Sequence, residues 1–291
     1  MKIKEMKSIQ LVGFIESNIK RGQINYLYTL MILILCMSCN DEIDYQLVRP
    51  EPGQQKILVE EVSGVRCPNC PDGTRLLTSI ASEFDSAIIV VTYHAGFFSV
   101  PYPESVYDFK TEETVALLNL LGNPIGYPSA AIQRLKDDGQ SSAQRLTNTW
   151  YSTINQLIAD VPELSLHLEV DQFGEDTQIT YGVLTNDDID RPLYGHLYLL
   201  EDGLIDYQSD SRASDGVVTN YEHNHVLKKI LTPLEGELLG NSFAELSRVN
   251  DSMTLQLSSI EEVVDPAKTS FVFFVTDDEK VLQVEKAYNN P

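Results

Sequence analysis

The sequence predicts an α/β domain followed by an all-β antiparallel sandwich, both behind an N-terminal export segment. Three observations lead there. A strand–helix–strand run between Lys56 and Tyr93 has the spacing of a parallel βαβ unit. From Leu164 onward the texture changes to short alternating runs separated by turn residues. Ahead of both, residues 26–38 form an apolar stretch of signal-peptide length, too short to span a bilayer.

The bulk composition sets the frame. With 291 residues, 43% hydrophobic and 22% charged, the chain can build two ordinary domains and is not disordered wholesale. Its formal charge is -22; residues 1–38 hold five Lys/Arg and two Asp/Glu, so the remainder carries -25. A surface of that sign repels phosphate backbones, which excludes nucleic acid as a partner. No motif implies a cofactor.

Residues 1–38 read as a signal peptide with an over-long start. Lys20 and Arg21 precede the apolar run, as the positive n-region requires. The run ends in Leu35-Cys36-Met37-Ser38-Cys39. A small residue before a cysteine is what lipid transfer and cleavage need, so Cys39 is the expected lipidation site, although Leu35 stands four rather than three positions ahead of it. The competing reading is an uncleaved membrane anchor with an incidental cysteine. The multiple acyl chains of a mature bacterial lipoprotein anchor it stably, making the membrane a partner through Cys39. Asn40-Asp41-Glu42 and Asp44 resemble the acidic export signal of surface lipoproteins of Bacteroidetes-type bacteria, and residues 39–53 form a polar tether.

Of four cysteines, Cys36 leaves with the signal and Cys39 takes the lipid. Cys67 and Cys70 remain, two residues apart in an oxidising compartment. They pair with each other, bind metal, or act on another protein's thiols. Zinc needs about four ligands, and the five histidines offer no second cluster at suitable spacing, so no metal site is expected.

Lys56–Val62 is a strand apolar on both faces apart from Glu60 and Glu61, as a central strand would be. Cys67-Pro-Asn-Cys-Pro71 follows a short turn. A helix is expected from about Cys70 to Phe84, with Leu76, Leu77, Ile80, Ala81 and Phe84 at helical spacing. Ala87–Tyr93 is the second buried strand, and an aromatic loop runs from His94 to Lys110. Thr111-Glu112-Glu113-Thr114 has the acidic first turn of a helix. Tyr127-Pro128 opens a strand reaching Ile132, and a last helix from about Ala143 to Asp160 puts Leu146, Trp150, Ile154 and Leu157 on one stripe.

This order resembles the thioredoxin fold over residues 54–161. The resemblance implies that Pro128 is cis and lies beside the CxxC. It also implies that Glu61, six residues before Cys67, is the buried acid, although Glu60 stands next to it. A cysteine at a helix N-terminus is favoured as thiolate. Cys67 would then attack and the less exposed Cys70 resolve the mixed disulfide, with Glu61 moving the proton. Protein thiols or disulfides would be the substrates. The competing reading makes Cys67–Cys70 a permanent disulfide in a binding protein whose aromatic loop meets a surface partner. Tyr127 and His94 are the candidate binding residues.

Residues 162–291 form the second expected domain. Leu164–Asp171 alternates strictly, and strands follow at Thr177–Leu184, Leu193–Glu201, Tyr221–Leu231, Ser252–Ser258, Phe271–Thr276 and Val281–Lys286. An immunoglobulin-like layout is open, though no cysteine or tryptophan signature marks one. His223 and His225, two apart in an expected strand, would share a face and could hold a metal, report pH, or simply make structural hydrogen bonds. Over nearly the whole mature chain the sequence resembles the Omp-twenty-eight-related outer-membrane lipoproteins of Bacteroidetes-type bacteria. The residues that carry this are Leu58–Gly64 with Cys67–Pro71, Tyr93–Gly96, Gly126–Pro128 and Tyr221–Leu231. The resemblance implies an outer-membrane location and leaves the choice between thiol–disulfide oxidoreductase and binding module open.

Overall fold

The strand Ile57–Ser63 (β1) is buried along its whole length, acids included, because it lies mid-sheet with packed layers on both faces. It belongs to a computed structural model that describes residues 53–289. The signal, the lipid site Cys39 and the tether, except for Gly53, lie outside the described residues. After β1 come α1 (Cys70–Glu83), β2 (Ile88–His94), α2 (Glu112–Leu121), β3 (Ser129–Ile132), β4 (Gln144–Leu146) and α3 (Thr147–Leu157). Strands, with two short 3-10 turns ahead of the last two, follow: β5 (Leu164–Phe173), β6 (Asp176–Thr185), β7 (Leu193–Glu201), β8 (Leu204–Ser209), β9 (Val217–His223), β10 (Val226–Ile230), β11 (Glu237–Gly240), β12 (Arg248–Leu255), β13 (Thr269–Thr276) and β14 (Val281–Tyr288).

Local chemistry explains the helices. In α1, Pro71 sits in the first turn, where a missing N–H costs nothing, and Asp72 complements the helix dipole. In α2 the side chains of Thr111 and Thr114 reciprocally satisfy each other's backbone N–H groups, a capping box that stops fraying at the start. Helix α3 begins later than the sequence suggests. Gln144–Leu146 pairs with β3 as an edge strand, so Leu146 is 40% exposed rather than part of the helical stripe. The Trp150 indole donates to the Arg145 carbonyl and ties the helix to that edge.

The largest sheet runs β14-β13-β7-β10-β2-β1-β3-β4, with β11 also on β7. β1 and β2 are parallel, as the βαβ spacing requires, and β10 joins β2 in parallel through Val226 and Thr92. Strand alternation then sorts the core. Ile57 and Val59 face Leu77 and Ile80 of α1 and Trp150 and Ile154 of α3. Leu58 and Val62 join Tyr198, Leu200, Val272 and Phe274 under Leu117 and Leu121 of α2. At the other end, a three-stranded sheet (β12-β6-β5) lays Leu164, Ile179 and Val183 over Leu197, Leu199, Phe271 and Phe273.

The expected boundary at 161/162 therefore falls within one continuous sheet. The physical reason is β10: its Leu227 is buried in the same core as Val91 of β2 and Leu200 of β7, and it fills the slot between those strands. A free-standing antiparallel sandwich is replaced by a second layer on part of a shared mixed sheet. The expected strand Tyr221–Leu231 is also broken. Asn224-His225 forms a turn with His225 at φ 58°, which directs β9 into one pairing and β10 into another.

Candidate functional site

The chain turns from β1 into α1 through Gly64–Asn69, and Cys67 and Cys70 close that turn as a disulfide. Cys70 is the first residue of α1 and Cys67 lies just before the helix cap at Asn69. The Tyr127–Pro128 bond is cis. Pro128 packs against Gly73 one turn into α1: a Cβ on Gly73 would lie 2.7 Å from the proline Cβ and Cγ and 3.0 Å from Glu61 Oε1. Cys67–Cys70, Pro128 and Glu61 are thus assembled around the first turn of α1.

Glu61 is fully buried and, among the described residues, its Oε1 has no hydrogen-bond partner. Burial pushes its carboxyl up to about 8, the Thr92 hydroxyl on Oε2 offsetting only part of that. Glu60 points to the opposite face, where Arg134 takes both its oxygens at 2.8 and 2.9 Å. Alternation along β1 therefore decides which of the two acids lies near the cysteines, and it is Glu61.

Both cysteines are only 1% exposed. The expected difference, an accessible Cys67 and a sheltered Cys70, is absent. The cover comes from far along the chain. Ser209 N–H donates to the Val65 carbonyl at 2.7 Å, and Ser211 N–H to the Pro68 carbonyl at 2.8 Å. The Gln208 amide donates to the Cys67 carbonyl at 3.0 Å and to Gly64 at 3.3 Å. The β8–β9 hairpin thereby satisfies the exposed carbonyls of the CxxC turn. Arg75 of α1 clamps it further by reaching Asp210 at 3.1 Å and Asp72 at 2.6 Å, holding the Asp210 carboxyl below the usual carboxylate range.

His94, a candidate binding residue, ends β2 with its ring inside the protein. It stands 4.8 Å from Phe109 and 5.5 Å from His223. Burial holds both imidazoles neutral, His94 well below its ordinary value and His223 at about 4. They line a cavity of about 40 Å³ beneath Cys70, together with Thr74, Thr92 and Tyr221. His225 points elsewhere, its Nδ1 3.0 Å from Asp202, so the two histidines do not share a face. Among the described residues no group of three or more His, Cys, Asp or Glu is placed to hold a metal. Tyr127 is half-buried, donates its hydroxyl to the Ala95 carbonyl at 3.3 Å and meets Phe98 edge-on at 5.3 Å.

Sequence reading missed the hairpin cover, Gln208 to Ser211, and its clamp Arg75. The polar run Ser209–Gly216, ending in Asp215-Gly216, was the turn signal available for it. Nothing local could place that turn over the cysteines.

The fold and site define a β-rich protein whose CxxC turn is closed by a disulfide and sealed by a distant hairpin. Residues 122–291, more than half of the chain, match the family described as outer membrane protein Omp28, and the chain belongs to that family. The family's description points to the outer membrane. The match takes in Pro128 and the hairpin but begins after Cys67 and Cys70.

Among solved structures, HBP35 of Porphyromonas gingivalis is similar with a TM-score of 0.63 at 15% identity, covering 82% of this chain and 76% of its own. A structural-genomics protein from Agrobacterium tumefaciens has a TM-score of 0.50 at 12% identity, covering 82% of this chain and 96% of its own. At these identities the likeness concerns fold alone. A search of curated proteins returned no match.

Proposed function

We propose that the chain is an outer-membrane lipoprotein, anchored through Cys39, whose thioredoxin-like unit is a binding module and whose Cys67–Cys70 disulfide is a structural clasp. The observation that carries this is the burial of both sulfurs beneath backbone that hydrogen-bonds to Val65 and Pro68. A thiolate can attack a visiting disulfide only along the S–S axis, and with both cysteines 1% exposed a visiting chain has no open approach to either sulfur in this arrangement. The clasp holds the carbonyls of residues 64–68 where the hairpin can use them.

A second reading has one specific observation in its favour. Pro128 and the proton-holding Glu61 meet at Gly73, as a dithiol enzyme would require. In that reading the reduced Cys67 thiolate attacks a substrate disulfide and releases one substrate thiolate, forming a mixed disulfide. Cys70 then loses its proton and attacks Cys67 Sγ. The second substrate thiolate leaves, and Cys67–Cys70 is re-formed with two electrons passed to the substrate. The hairpin must move aside first.

The test is alkylation after incubation at a glutathione-like potential, with turnover of a protein disulfide in parallel. The clasp predicts no labelling of native Cys67 and no turnover, with labelling only after unfolding. Turnover by the folded protein would establish exchange instead. Metabolic incorporation of a palmitate analogue, lost in Cys39→Ala, checks the anchor.

A further inference from the structure

On the α2 side of the large sheet, away from the cysteines, a cavity of about 320 Å³ opens between the end of α2, the turn after β3 and the β13–β14 turn. That is the size of a pocket for a small organic molecule. Its wall is apolar at Leu120, Leu121 and Ala143, and Tyr194 adds a ring face. Arg134 also lines it, with a side chain only 11% exposed.

The guanidinium is engaged on one side only. Nε and Nη2 grip the Glu60 carboxylate at 2.9 and 2.8 Å, and Nη2 also reaches the Tyr198 hydroxyl at 2.8 Å. Among the described residues, Nη1 has no hydrogen-bond partner. A side-on fork leaves both Nη1 hydrogens pointing away from Glu60, and a planar guanidinium held this rigidly is pre-organised for a second oxygen acceptor. The Phe274 ring, 4.8 Å from Cζ, keeps it in plane. Beside it, the His196 imidazole is stacked on Phe274 and bonded through Nε2 to Thr276 Oγ1 at 3.0 Å. Burial keeps that imidazole neutral, so Arg134 is the buried cation of the pocket.

The rim limits the charge of an occupant. Lys136 and Lys280 are opposed there by Glu235, Asp277, Asp278 and Glu279, and Asp277 is already held by Arg191 at 3.0 Å. The net acidic rim repels any anion in proportion to its charge, so a polyanion is disfavoured far more than a single carboxylate, whose apolar body and bond to Arg134 offset the smaller penalty. We infer that this cavity binds a small monocarboxylate with an apolar or aromatic body, its carboxylate accepting from Arg134 Nη1 and its body lying on Leu120, Leu121 and Tyr194. The inference does not depend on either reading of the cysteines.

The experiment is a ligand-observed NMR titration of the folded protein with phenylacetate, its neutral isostere phenylacetamide, and citrate. Substituting Arg134 would strand buried Glu60 and unfold the site, so the variant is Leu120→Trp, a partly exposed position at the mouth. Saturable phenylacetate binding is expected, at least tenfold weaker binding of the amide, no binding of citrate, and loss of phenylacetate binding in a Leu120→Trp protein with unchanged circular dichroism. Absence of saturable phenylacetate binding, equal affinity for the amide, or undiminished binding by the variant would each overturn the assignment.

Discussion

Replacing Glu61 by glutamine separates the charge of the buried acid from its shape, and the structure sets both the size and the pH window of the effect. The unfolded carboxyl ionises near 4.5, whereas in the fold burial holds the proton up to about 8. Between those values the unfolded chain binds fewer protons than the native one, so raising the pH favours unfolding. A shift of roughly 3.5 units at about 1.4 kcal/mol each is on the order of 5 kcal/mol lost between pH 4.5 and 8. Glutamine fills the same space beside Gly73 and Pro128 and cannot ionise. In urea unfolding of the disulfide-intact protein, the two should be similar near pH 5. The glutamine variant should then pull ahead steadily and be several kcal/mol more stable at pH 8. Other titrating groups cancel in the comparison. A difference between the proteins that stays constant from pH 5 to 8 would refute a buried, proton-holding Glu61.

Three further outcomes follow from named contacts. Gly73→Ala forces a methyl onto Pro128 and Glu61 and should cost about 2–3 kcal/mol, read as a lower urea midpoint at unchanged slope. Glu60→Ala leaves Arg134 as an uncompensated buried charge and should cost about 3–5 kcal/mol, most of which returns in Glu60→Gln/Arg134→Met. His223, neutral in the fold with its value lowered to about 4, contributes stability present above pH 6.5 and lost as the pH falls toward 4. His223→Phe should remove about 3 kcal/mol of that acid-side loss, seen as a flatter dependence of thermal unfolding between pH 6.5 and 4.

Much of the site was legible because it rests on local signals. The strand before the CxxC, the helix start at Cys70 with Pro71 behind it, and the Tyr-Pro turn are short-range features, and the structure brings Cys67, Cys70, Glu61 and Pro128 together around Gly73. Choosing between Glu60 and Glu61 needed only to know which face of β1 carries α1. Where the reading failed, neighbours distant in sequence decided. Leu146 has helical periodicity, yet pairing with Ser129 draws it into an edge strand. The Tyr221–Leu231 run looks like one strand, yet a left-handed backbone at His225 splits it. Exposure of Cys67 was inferred from its place at a helix start, and a hairpin some 140 residues later removes it.

Sequence alone determined the acidic charge, the βαβ start and the position of most strands, because hydrophobic period and turn chemistry are properties of neighbouring residues. Which strands pair, and what lies over the disulfide, belonged to the tertiary structure alone. Register between segments so far apart is chosen by how apolar faces and unsatisfied carbonyls are jointly covered, and β10 beside β2 and Ser211 on Pro68 are two such choices. The second of them ties a distant hairpin to the turn that carries the disulfide.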